Sequence, residues 1–120
     1  MVASESFAAV LTAPAAARRF VEGALRSAGL PASEAVAIAV SELVTNSVVH
    51  AVSATRVSVL VGERHLRVEV HDDDPTLPAP LHPGPEAIAG RGLLLVEALT
   101  DRWGSLPEDG GKIVWFELDR

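Results

Sequence analysis

The stretch from Ala35 to Val52 constrains this chain more than any other. It is almost entirely apolar and contains neither glycine nor proline. Such a run reads as a buried helix. Glu42, Asn46 and His50 interrupt it at steps of four. Residues four apart lie on nearly one face of a helix, so these three form a single polar stripe that rises about 6 Å per step. A carboxylate and an amide buried in an apolar helix are costly unless they find partners. Two readings follow. Either Glu42 and Asn46 satisfy each other and the nearby backbone, or the stripe lines a pocket. No local sequence neighbour offers a partner, which points to the pocket.

The flanking sequence supplies the rest of a fold. Ser4 to Leu11 reads as an edge strand. Thr12-Ala13-Pro14 opens a first helix with proline in its first turn, and Gly29 closes it. Arg18, Arg19, Glu22 and Arg26 share its outer face, which serves either as a solvated surface or as a docking face. Pro31 and Ser33 open the second helix. From Thr55 the period changes to two. Thr55, Val57, Val59 and Val61 share one face and Arg56, Ser58 and Leu60 the other. Beyond a turn at Gly62–His65, Leu66, Val68 and Val70 do the same, which is the pattern of an antiparallel hairpin with one buried face. Asp72-Asp73-Asp74 follows. A loop from Pro75 to about Ala89 holds five of the eight prolines and reads as a lid. Gly90-Arg91-Gly92 ends it and opens a third helix, Leu93 to Thr100. Short strands at Trp103–Leu106 and Ile113–Leu118 close the chain. The order β-α-α-β-β-lid-α-β-β predicts an α+β fold. It is a two-layer α/β sandwich whose mainly antiparallel sheet carries helices on one face, as one domain over residues 1–120.

Composition excludes several functions. A net charge of −6 argues against a nucleic-acid partner. The absence of cysteine removes thiolate chemistry and is in keeping with a cytoplasmic protein. No apolar run reaches membrane-spanning length, and no basic segment after Met1 suggests a signal peptide. The histidines lack zinc spacing. Gly90-Arg91-Gly92 at a helix start is either an anion site or a tight turn. Asp72, at a strand end, either accepts hydrogen bonds from an amine such as that of adenine or belongs to an Asp-Pro turn. A metal cluster of the three aspartates with His71 or His82 is a third reading. With no serine or cysteine nucleophile in evidence, phosphoryl transfer remains, with Glu42 as base and Asn46 as an oxygen ligand to Mg²⁺.

Three separated signals now stand in a fixed order: Glu42-x-x-x-Asn46-x-x-x-His50 on a helix, Asp72 after a strand, and Gly90-x-Gly92 opening a helix after a lid. Together they resemble the N, G1 and G2 boxes of the GHKL ATPases, which have the Bergerat fold. The chain is most similar to the anti-sigma factor serine/threonine kinases, above all in Ser41-Glu42-Leu43-Val44-Thr45-Asn46-Ser47-Val48-Val49-His50-Ala51. The resemblance spans about Pro14 to Leu118. It implies ATP and Mg²⁺ as cofactors, with Asn46 on the metal and Glu42 as general base. It also implies Asp72 on the adenine amine, and Gly90, Gly92 and Leu93 on the phosphates with Arg91 assisting. The partners it implies are a STAS-type anti-anti-sigma protein, which would be phosphorylated, and a sigma factor, which would be sequestered, with Arg18 or Arg19 in contact. Such relatives often form homodimers. The alternative is a non-catalytic ATP-binding interaction module. Two departures from the family pattern stand out. Asp74 occupies a usual glycine position, and Ile113 occupies that of a threonine whose hydroxyl supports the aspartate.

Overall fold

The computed structural model describes residues 1–50, 54–75 and 91–120. Strand β1 (Val2–Ala8) is followed by helices α1 (Ala13–Ser27) and α2 (Glu34–His50). Strands β2 (Ala54–Val61) and β3 (His65–Asp72) form the expected hairpin. Helix α3 (Arg91–Leu99), β4 (Arg102–Glu108) and β5 (Gly111–Asp119) complete the chain. The last two strands run longer than their apolar cores suggested. From Thr76 onward the proline-rich lid, with Gly90, lies outside the described residues.

The helix boundaries have local causes. Ser33 Oγ accepts a hydrogen bond from the Val36 amide at 3.2 Å, an N-cap for α2. α1 carries proline in its first turn but no side-chain cap at Thr12. It ends where the Leu30 and Gly29 amides donate back to Leu25 and Arg26 carbonyls, which satisfies carbonyls the last turn would otherwise leave open.

All strand pairs are antiparallel, and the order across the sheet is β1-β2-β3-β5-β4. β5, the last strand in sequence, therefore lies inside the sheet and β4 forms an edge. That position suits Pro107, which has no N–H to give to a neighbouring strand. One sheet face carries Val57, Val59, Val68, Val70, Val114 and Phe116, all buried beneath the helices with Val21, Leu25, Val40 and Val44. α2 packs between α1 and α3. This confirms the two-layer α+β architecture.

The other sheet face is polar and held by charge. Arg67 stacks on Trp115, 4.2 Å from the ring centre, and donates to Glu69 and Glu117. Arg102 donates to Glu117 and Asp119. His71 is largely covered on this face and lies between Glu69, Arg56 and Glu108. The hydrogen bond from Arg102, helped by Arg67 and opposed by burial, holds the Glu117 carboxyl below the ordinary glutamate range. Arg102 does the same for Asp119. Because these groups bind protons less readily folded than unfolded, their stabilisation is present above about pH 4 and is lost as pH falls through the folded values. Arg102→Ala is expected to lower the melting temperature slightly at neutral pH and to leave it nearly unchanged at pH 3, which flattens the acid limb of the profile between pH 6 and 3. An unchanged acid limb would show that the pairs contribute nothing.

Candidate functional site

α2 brings Glu42 and Asn46 to the side of the helix layer that faces α3. Both are partly buried, and neither side chain has a hydrogen-bond partner among the described residues. The pairing of Glu42 with Asn46, the bland reading of the stripe, is therefore absent. His50 is exposed at the last residue of the helix and continues the stripe without joining the buried part.

Glu42 and Gly92, fifty positions apart in sequence, are placed together. A Cβ on Gly92 would lie 2.7 Å from Glu42 Oε2. Glycine here makes room for the carboxylate at the second residue of α3. The amides of a helix's first turn lack intrahelical partners and carry partial positive charge. Glu42 thus reaches the same helix end that the sequence suggested for an anion. Leu93 is buried and anchors this turn in the core. Arg91 is the first residue of α3.

Asp72 sits on the helix-facing side of β3, and its side chain is only 2% exposed. Its Oδ1 accepts from the amide of Asp74 at 3.0 Å, so the turn reading is correct for the backbone. The same oxygen accepts from Lys112 Nζ, also at 3.0 Å. Lys112 was missed by sequence reasoning. The alternation of β5 could have found it, since Lys112 shares a face with Val114 and Phe116, where a charge is anomalous unless paired. Ile113 lies opposite His71 in the register, and Lys112 lies opposite Asp72. The support that the family pattern assigns to position 113 comes here from residue 112. Lys112 also donates to the Asp74 carbonyl and lies 3.8 Å from its carboxylate, which offsets the charge that replaces the usual glycine. No group of three or more metal-ligating side chains occurs among the described residues.

One further contact holds the two halves of the site in relation. Ser47, next to Asn46, is hydrogen bonded through its hydroxyl to that of Thr55 at 2.6 Å, and both residues are buried. The β2–β3 register ends at the Arg56–His71 pair, and Thr55 and Asp72 are the residues just beyond it on the two strands. The end of α2 is thereby tied to the sheet beside Asp72. Ser47→Ala is expected to cost about 1–3 kcal/mol by leaving the Thr55 hydroxyl buried and unpaired. Ser47→Ala combined with Thr55→Val should recover much of that loss in urea melts. Simple addition of the two single effects would count against the coupling.

A depression of about 320 Å³ is lined by Arg56, His71 and Glu108 of the open sheet face and also by Asp72 and Asp73, so it adjoins the Asp72 end of the site. Arg56, His71 and Glu108 pair with one another there, while Asp72 pairs with Lys112.

Residues 7–118 match the histidine kinase-like ATPase domain family. The chain belongs to this family. The match covers all three polar signals, and the architecture agrees with it. Over 70 residues the chain is 39% identical to an uncharacterised protein of Streptomyces coelicolor; that match takes in 53% of this chain and 66% of the relative. The crystal structure of the RsbU and RsbW domains of Rv1364c from Mycobacterium tuberculosis superposes with a TM-score of 0.69 at 20% identity. The superposition covers 100% of this chain but only 33% of that one, so the likeness is one of fold. Histidine kinase-like ATPase domains are nucleotide-binding domains, and the polar stripe of α2 lies within the matched region. No helix among the described residues is long and apolar enough to cross a membrane.

Proposed function

We propose that this histidine kinase-like ATPase domain binds Mg-ATP and transfers the γ-phosphoryl group to a serine or threonine of a STAS-type anti-anti-sigma partner, and that it sequesters a sigma factor. The observation that carries the reading is the Glu42 carboxylate lying against Gly92 at the first turn of α3. A base and an anion-binding helix end then share one place, as phosphoryl transfer to a hydroxyl needs. Asn46, one turn further along α2 and without a protein partner among the described residues, offers its side-chain oxygen to Mg²⁺. Bound there, the ion would supply charge neutralisation for the phosphates. Glu42 would receive the proton given up by the acceptor hydroxyl as its oxygen bonds to phosphorus. Gly92 and Leu93 would present backbone amides to the phosphates, joined by Gly90 and Arg91. Asp72 would accept from the adenine amine.

The partner assignment rests on the sequence resemblance to anti-sigma kinases, and Arg18 and Arg19 are the residues proposed for contact. Both are exposed on α1, where Arg18 lies 4.0 Å from Glu22. The reading includes one domain, a cytoplasmic location and room for a homodimer. Calorimetry with Mg-ATP tests it first: saturable binding is expected. If no heat is released at millimolar nucleotide, the reading is wrong. Binding without phosphorylation of any STAS-type protein would leave the non-catalytic regulatory module.

A further inference from the structure

Lys112 has no part in the mechanism above, yet it is a buried cation beside Asp72. Its side chain is 8% exposed. It reaches Asp72 Oδ1 and the Asp74 carbonyl at 3.0 Å each, with the Asp74 carboxylate at 3.8 Å. An ammonium has three hydrogens to donate. Here they face three oxygens of the protein, so Lys112 is poorly placed to contact a ligand itself. Its effect falls on Asp72. The lysine and the Asp74 amide both donate to Oδ1, and Oδ2 has no partner among the described residues. A carboxylate paired with an ammonium is an acceptor only.

We propose that Lys112 is a positioning residue that sets base selectivity, holding Asp72 so that Oδ2 accepts from a 6-amino purine and refuses a 6-keto purine. The proposal rests on the nucleotide-binding reading above and adds the residue that enforces the choice of base. A keto oxygen facing Oδ2 would set two acceptors against each other, and one would remain buried without a hydrogen. The Asp72–Lys112 register makes the arrangement local to one rung of β3 and β5. The lysine can therefore act on Asp72 without touching Glu42 or α3.

The test compares ATP with ITP, which differ at the 6-amino and 6-keto groups, by calorimetry on the full chain. The wild-type protein is expected to bind ATP about 10-fold or more tightly than ITP. Lys112→Met keeps the length of the side chain and removes the cation. In this variant, shown to be folded by circular dichroism, the preference should shrink to within about threefold. A merely structural lysine would lower both affinities together and leave their ratio unchanged. Equal wild-type affinity for the two nucleotides overturns the proposal while nucleotide binding stands, and this comparison decides even if Lys112→Met does not fold. A folded Lys112→Met that keeps the wild-type ratio overturns it as well. Binding of neither nucleotide removes the underlying reading instead.

Discussion

Gly111→Ala is expected to be among the most destabilising single substitutions in this protein, at about 3 kcal/mol or more. A Cβ at Gly111 would lie 1.9 Å from the Asp72 carbonyl oxygen and 2.9 Å from both the Asp72 carbonyl carbon and the Asp73 Cα. All three are backbone atoms, so no rotamer change relieves the clash. The start of β5 must move away from the end of β3. That motion strains the rung at which Asp72 and Lys112 face each other. The midpoint of a thermal melt should fall by about 10 °C, taking a few degrees per kcal/mol for a chain of this size. Gly23→Ala is the natural control. It lies within α1, where an added Cβ meets nothing within 4 Å. It should stabilise by about 0.5–1 kcal/mol through helix propensity. If Gly111→Ala melts with the wild type, the close approach of β5 to Asp72 is not real.

The second large effect is on catalysis. Glu42→Gln is expected to lower phosphotransfer about 10²–10⁴-fold while ATP affinity stays within about threefold. The substitution keeps the shape of the side chain and removes its ability to take a proton. Gly92→Ala probes the same pair from the other side. Its Cβ would meet only the far end of the Glu42 side chain, which can swing aside. Folding stability should therefore change little, while phosphotransfer drops because the carboxylate is displaced. Single-turnover transfer to a STAS-type partner and calorimetry on the same samples separate the two effects. Full phosphotransfer by Glu42→Gln would remove Glu42 from the base role, and so would a loss of ATP binding as large as the loss of transfer.

The departures from the family pattern have a common explanation in the sheet. Asp74 brings a carboxylate to the turn, and Lys112 brings an ammonium within 3.8 Å of it. The same ammonium supports Asp72. Together with Lys112, positions 74 and 113 describe a site whose aspartate is supported by a charge rather than by a hydroxyl.

The sequence by itself determined the elements and their faces. Helical spacing in α2 put Glu42 and Asn46 on one stripe, and alternation in β2 and β3 set the buried face of the hairpin. These follow from local periodicity, which a chain carries whatever surrounds it. β4 and β5 extend beyond their apolar cores, because Pro107 and the flanking polar residues hide strand ends whose pairing is decided by the neighbour. Tertiary structure alone decided which distant residues meet. It placed β5 beside β3 so that Lys112 faces Asp72, set Gly92 against Glu42, and joined Ser47 to Thr55. Each is a contact between segments whose separation in sequence gives no period to read. Whether a buried charge is a cost or a support depends on the partner that folding brings to it.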